Sequence, residues 1–475
     1  MPPLRWPTLL LYGVGEMAHS IKSVVFGLFI LFFYTSVVGL PALWVGLATG
    51  FGLLWDAMAD PYIGYLSDHM DLGFGRRHSF MIIGALTMGP ALWALLSPPR
   101  GLPVLGAVLW LLVSSLLARS TSSLFLTPYY ALGAELSADY HERTVITGVR
   151  GALALLATLL AASLSFLIFF PDRGAGLDPK LQYAGYPRMG FWFGLAMVAV
   201  AIVAIAGTWR WRRHLAPLHR DGADRSRYVF LREAGKALGN PVFLLLFLSS
   251  ALFFLGTVVN ANLSLYFLTY YLHITASAVL SALQLGFYVG ALVGVAVWMK
   301  VSRYIEKRWL CGGAMFVCAA ALAAAPLLFG VGHVLGSANY GLLFTGYAVV
   351  GFFGSVLWVL PASMLADVID QDELHTGRRR EGTYFGLYYF GQNIAASLSL
   401  LLSGALLDWF VGLVPGKAIQ SQQTVERIGM LFGLAPAVLI GGAGALMVCY
   451  HLDHAAITDI QRQLQVRHNS TRANT

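Results

Sequence analysis

Asp56 and Asp60 stand four residues apart in the stretch WDAMADPYIGYLSDHMDLGFGRRHSF, residues 55–80, which opens inside an apolar run and closes in a basic cluster. On a helix this spacing puts both carboxylates on one face, one turn from each other. Two acids stacked in hydrocarbon repel, and each is costly to leave ionised. A bound cation, a shared proton or a nearby Arg or Lys must compensate. A site that must hold a positive charge, and can release it, is what ion-coupled transport requires.

The first apolar segment raises the same question. YGVGEMAHSIKS places Tyr12, Glu16, His19 and Ser23 on one stripe, with Ser20 and Lys22 beside it. Ionisable groups so closely spaced in a membrane span face the protein interior rather than lipid. They serve either as contacts for a polar solute or as an internal Glu16–His19 or Glu16–Lys22 pair that locks helices together. Arg150 lies well inside another apolar run and needs a partner, either a carboxylate of the Asp56 segment or an anionic solute. Arg119 poses the same problem. Pro128 precedes Tyr129 and Tyr130, rings suited to packing or to flanking a ligand. The second half of the chain offers mainly neutral groups, such as Asn262, Tyr266, Tyr388 and Gln392, whose commoner use is helix packing.

The elements that position these groups are membrane helices. Of the 475 residues, 57% are hydrophobic and 11% charged, with mean hydropathy +0.69, far from the roughly one-quarter charged composition of soluble domains. The formal charge of +8 does not point to a nucleic-acid partner, because the basic residues cluster in loops between apolar segments. Cys311, Cys318 and Cys449 all fall in apolar segments, so no disulfide framework is implied. Twelve segments can cross a bilayer, near 8–36, 41–67, 79–98, 102–134, 145–170, 189–210, 241–271, 276–300, 308–330, 337–367, 383–412 and 428–451. With both termini cytoplasmic, the inner loops hold about 22 Lys and Arg and the outer loops about 6, a positive-inside bias. The expected fold is an all-α membrane protein of twelve transmembrane helices. The hydrophilic break at 211–240 divides it into two six-helix halves, 1–210 and 241–451, and 452–475 reads as a polar cytoplasmic tail.

Three stretches together, YGVGEMAHSIKSVVFGLFILFFYTSVVGL, DAMADPYIGYLSD and MLADVIDQDELHTGRRREGTYFGLYYFGQ, resemble the glycoside–pentoside–hexuronide:cation symporters, the melibiose-permease branch of the major facilitator superfamily. The likeness extends over nearly the whole chain. It implies the major facilitator fold in a bacterial inner membrane, a monomer, no cofactor, and coupling of Na⁺, Li⁺ or H⁺ to uptake of a small organic solute. It further implies that Asp56 and Asp60 are the paired cation carboxylates, with Ser123 a hydroxyl near them and Arg150 close to the sugar site. Gly64, Asp68, Arg76 and Arg77 match an inner-loop gating motif that holds the halves closed. Asp367, Asp370, Gly377, Arg379 and Glu381 match its counterpart after the tenth span. The candidate solute contacts are Glu16, His19, Ser20, Lys22, Tyr130, Arg150, Tyr388 and Gln392.

The departures from the family pattern narrow these expectations. The asparagine usual between the paired aspartates is Ala59, the sugar-binding acids fall at Ser20 and Leu126, and a lysine usual in the eleventh span is Gln392. Na⁺ needs several oxygens, whereas a proton needs one carboxylate crowded by another. Coupling to H⁺ is therefore expected over Na⁺, which would otherwise sit at Asp56 and Asp60. Without the two acids a disaccharide is disfavoured. A small glycoside, a uronate, an amino-acid-like solute and a lysolipid or other amphipath stay open. The expected mechanism is alternating access, in which cation binding frees Arg150 from the two acids. The alternative is a proton-coupled efflux antiporter using the same groups. HExxH and GxSxG motifs are absent, so an enzyme is not expected.

Overall fold

The computed structural model describes residues 6–71, 73–137, 139–172, 178–213, 234–337, 339–378 and 380–473, with no strand among them. Twelve helices are long and apolar enough to cross a membrane. They are α1 Trp6–Val37, α2 Ala42–His69, α3 Arg76–Leu95, α4 Val104–Gly133, α5 Glu142–Phe169, α6 Gly185–Trp211, α7 Pro241–Tyr271, α8 Ser277–Val301, α9 Lys307–Leu328, α10 Tyr340–Thr376, α11 Glu381–Val411 and α12 Gln422–Val448. Each matches an expected span to within several residues, except that α10 continues well past residue 367. The polar tail expected after residue 451 instead forms a helix, α13, His454–Ala473. Its composition is too polar for a span, yet Ile460 and Leu464 are buried one turn apart, a narrow apolar stripe. This helix packs against α10, where the Arg467 guanidinium donates to the Leu374 carbonyl at 3.4 Å.

Helix α2 carries the carboxylate pair, and Pro61 lies within it directly after Asp60. A proline there removes the amide that would bond the Ala57 carbonyl, loosening the backbone at the two acids. Helix α1 contains π-helical turns at Val25–Phe29 and Phe33–Val37. Further π-helical turns end α7 at Phe267–Tyr271 and α11 at Leu407–Val411. Such turns re-aim the side chains that follow them.

The chain forms two compact units: Met1–His219 with Ala261–Leu285 and Ser397–Gly429, and Arg220–Asn260 with Gly286–Ala396 and Met430–Thr475. In the first unit α3 packs against α4 and α6, α2 against α4, and α1 against α5 and α6. At the ends away from the arginine-rich loops, this unit also takes in the last part of α7, the first turns of α8 and the last part of α11. Thr35 and Tyr266 share a hydrogen bond of 2.5 Å. The Ser277 and Ser281 hydroxyls donate to the carbonyls of Phe170 and Ser163. Lys180, in the loop after α5, pairs with Asp178 at 2.8 Å and donates to the Ile274 carbonyl at 2.7 Å. Burial pushes the Lys180 amine below the usual lysine range, against the pull of Asp178. In the second unit α9 packs against α10.

Helix α2 begins after Pro41, which supplies no side-chain cap. Asp408 of α11 supplies it, accepting from the amides of Ala42 at 3.0 Å and Leu43 at 2.8 Å. A carboxylate on the first amides of a helix satisfies orphan donors and opposes the dipole. Asp408→Ala is expected to loosen this end by about 1–2 kcal/mol, the usual worth of an N-cap. A membrane-impermeant thiol reagent at an introduced Thr35→Cys would then react several-fold faster, and an unchanged rate would show that the cap does not hold this end shut.

Candidate functional site

Two charged clusters of the first unit adjoin α1, which runs through both. In the first, Tyr12 and Tyr129 exchange hydrogen bonds, each hydroxyl donating to the other's carbonyl at 2.9 and 3.0 Å, with their rings stacked 4.5 Å apart. This clasp fixes α1 against α4 where Tyr130 can donate to Glu16 Oε1 at 3.0 Å. Arg150 of α5 pairs with Glu16 Oε2 at 3.0 Å and lays its guanidinium over the Tyr130 ring, 4.6 Å from the centroid. Glu16 is thus held from two helices. It pairs with neither His19 nor Lys22, because those side chains turn elsewhere. His19 Nε2 lies 3.3 Å from the Ser23 hydroxyl, and Lys22 is buried within the electrostatic range of Asp56 and Asp60. Ser20 donates to the Ala154 carbonyl at 2.9 Å, tying α1 to α5.

The second cluster joins α1, α2 and α4. Asp56 Oδ2 accepts from Arg119 Nη1 at 2.6 Å. Asp60 lies within hydrogen-bonding reach of Ser123 and Thr127, and its charge is felt by Asp56 and Lys22. Lys22 is buried, attracted by both acids and repelled by Arg119. One expectation is corrected here: the arginine beside the paired acids is Arg119, not Arg150. Helix α4 packs on α2 and so delivers Arg119 to Asp56, whereas α5 packs on α1 and delivers Arg150 to Glu16.

The two clusters are connected along α1. Glu16, His19 and Lys22 recur every three residues; His19 feels both Lys22 and Arg150, and Lys22 feels Asp56, Asp60 and Arg119. The row of Glu16, His19 and Lys22 thus stands between the α2 acids and the Glu16–Arg150 pair.

At the arginine-rich end Arg77 pairs with Asp68 and, at 2.9 Å, with Glu135, which Arg76 also reaches at 3.1 Å. Ser67 accepts from Arg77 at 2.9 Å, and Gly64 faces Thr127 of α4. The bonds of Asp68, Arg76 and Arg77 described here join α2, α3 and the segment after α4 inside the first unit. Glu135, which completes the network, was not among the expected residues; its signal was an acid at the arginine-rich end of an apolar segment.

In the second unit Asp367 pairs with Lys307 at 2.5 Å, and Lys307 also donates to Ser363 at 2.8 Å. Asp370 is half-buried on α10, Gly377 ends that helix at φ +70°, and Glu381 opens α11, exposed. Arg379 lies outside the described residues. Its neighbour Arg380 grips Asp372 with two bonds of 2.9 and 2.7 Å, a pair not expected from the sequence. Tyr388 is buried within reach of Ser250 and Gln392.

Twelve apolar helices, with the Arg119–Asp56 and Arg150–Glu16 pairs held between them, define a membrane transporter of the major facilitator type rather than an enzyme. The profile of the MFS/sugar transport protein family matches residues 11–454. The chain belongs to that family, and the resemblance to the glycoside–pentoside–hexuronide:cation symporters is borne out. It is 25% identical to an uncharacterised symporter of Synechocystis sp., over 98% of this chain and 97% of that one. It is 24% identical to a protein of Escherichia coli named as a glycoside/cation symporter, over 97% and 94%. It is also 24% identical to an E. coli protein named as a 2,3-dihydroxypropane-1-sulfonate exporter, over 96% and 95%. Among solved structures, a bacterial homologue of the human lysosomal transporter Spinster superposes with a TM-score of 0.67 at 14% identity, covering 96% of this chain and 97% of that one. That likeness bears on the fold alone.

Proposed function

We propose that this transporter is a proton-coupled symporter of a small, hydroxyl-rich organic solute such as a glycoside or uronate, resident in a bacterial inner membrane with both termini cytoplasmic. The observation that carries this reading is the row of side chains along α1 that joins the Asp56–Asp60 cluster to the Glu16–Arg150–Tyr130 cluster. Cation and solute couple only when each favours the same conformational state. Shared electrostatics along one helix supply that common dependence. Glu16 accepts and Arg150 donates, the complementary pair that a polyol ring or a sugar carboxylate needs, and Tyr130 adds an aromatic face. Asp60, in reach of two hydroxyls rather than an arginine, is the group assigned the proton.

The relative named as an exporter favours a second reading, in which the same groups drive efflux. Both readings are tested in proteoliposomes with an entrapped pH-sensitive dye while sugars, uronates, sulfonates, amino acids and lysolipids are added outside. Symport predicts solute-triggered acidification of the lumen, lost in Asp60→Asn while solute exchange persists. Acidification only when solute is loaded inside and runs outward would establish the export reading. Acidification unchanged in Asp60→Asn would remove Asp60 from coupling.

A further inference from the structure

We infer that Arg119 is a resident counter-cation: it supplies at Asp56 the positive charge that an alkali-metal ion would otherwise supply, so that the carboxylate pair of this chain excludes Na⁺ and Li⁺. The inference deepens the coupling reading above and rests on it for the role of the pair. Its own content, which cation occupies Asp56, is independent of the solute.

Four observations carry it. Arg119 Nη1 lies 2.6 Å from Asp56 Oδ2, a charge-assisted contact at the short end of its range. The arginine side chain is 4% exposed and the aspartate 17%, so the pair is shielded from competing water. The guanidinium lies over the Phe26 ring, 4.3 Å from its centroid, an aromatic wall that neutralises no charge but fixes the plane. The seat is cut into α2 itself: a Cβ on Gly52 would come within 2.9 Å of Arg119 Nε and 3.0 Å of its Cδ. Glycine at 52, one turn before Asp56, lets the arginine from α4 lie as it does; a larger side chain there would have to displace it.

The charge count gives the consequence. Arg119 cannot lose its proton in a protein, so Asp56 is neutralised by a group that never dissociates. A metal ion added at Asp56 would stand against the Arg119 guanidinium, a like charge in a low-dielectric interior, where such repulsion is expensive. Residue 59 is alanine, so no side-chain amide oxygen stands between the two acids. Asp56 Oδ1 is buried and makes no hydrogen bond among the described residues, so Arg119 meets this acid through Oδ2 alone.

The test is binding of Na⁺ to the purified full-length protein, read without any solute. Wild type should show no Na⁺- or Li⁺-specific rise in thermal unfolding temperature when NaCl or LiCl replaces choline chloride at constant ionic strength, and no saturable ²²Na⁺ binding. Arg119→Ser leaves Asp56 unpaired and adds a hydroxyl. It should bind Na⁺ about tenfold or more tightly than wild type, with Na⁺ raising its unfolding temperature. Arg119→Lys keeps the charge and should remain unresponsive. Saturable Na⁺ binding by wild type that is lost in Asp56→Asn would overturn the inference. A folded Arg119→Ser protein that ignores Na⁺ would overturn it too. If that variant fails to fold, the wild-type result decides alone. Absence of transport with every solute would sink the symport reading while leaving this result standing.

Discussion

Arg150→Gln is expected to reduce solute-driven proton uptake by about a hundredfold or more, even where the protein folds and inserts. The pair it forms with Glu16 lies between three helices, and removing one partner of a buried pair costs about 3–5 kcal/mol. Arg150 is about a quarter exposed, so the lower end of that range applies, and one factor of ten corresponds to roughly 1.4 kcal/mol. Stability alone does not separate a helix lock from a solute contact, but the double variant does. Glu16→Gln placed in Arg150→Gln removes the unpaired charge and should recover most of the lost thermal stability. If the pair were only a lock, transport would return with stability. If Glu16 and Arg150 hold the solute, the double variant stays inactive although it is stable. Arg150→Lys sharpens the distinction, because lysine keeps the charge but loses the planar fork that grips vicinal hydroxyls or a carboxylate. It should retain stability and lose transport. Wild-type uptake by Arg150→Lys would return the Glu16–Arg150 pair to a purely structural role.

Why Arg150 was expected beside the wrong acid shows where the sequence is informative. The twelve spans were legible because their signal is local, a long apolar run bounded by charge. Asp56 and Asp60 were legible as a pair because helical spacing alone places them together. Which arginine meets them depends on which helices are neighbours, and that depends on packing between segments more than sixty residues apart. Arg119 and Arg150 each look like a lone cation in an apolar run. Only the packing of α4 on α2 and of α5 on α1 assigns the first to Asp56 and the second to Glu16. Asp408 was missed for a related reason. It stands near the end of an apolar run, where an acid reads as an interfacial residue, and its role as the cap of α2 exists only once α11 reaches the start of that helix. The tail helix α13 escaped notice because two buried apolar residues in a polar run are a weak periodic signal. The network of Asp68, Arg76 and Arg77 was legible as a motif, but its partner Glu135 follows from the end of α4 lying over α3.

The largest conformational effect is expected from Gly46→Val. At the end away from the arginine-rich loops, α2 and α11 approach backbone to backbone. A Cβ on Gly46 would stand 2.5 Å from the Leu400 carbonyl oxygen, and one on Gly404 would stand closer still to that of Ala42. Ser397 donates to the Gly50 carbonyl at 2.9 Å along the same seam. Small residues at such a crossing are what lets membrane helices touch. A transporter that alternates must open this seam in one state and close it in the other. Valine at position 46 overpacks the closed seam by about 1–3 kcal/mol, which shifts the balance towards opening by roughly five- to 150-fold. The variant should lose net transport and keep its thermal stability within a few degrees. The direct reading is thiol labelling of Thr35→Cys in a background lacking Cys311, Cys318 and Cys449, because Thr35 is fully buried under this seam. Labelling by a membrane-impermeant maleimide should accelerate at least about fivefold in Gly46→Val and similarly in Gly404→Val, whose side chain meets the other wall. Solute added to the variant should no longer slow that labelling, since the bound state cannot close. Unchanged labelling together with unchanged transport would show that the glycine seam is packing only, and that the closing surfaces lie elsewhere.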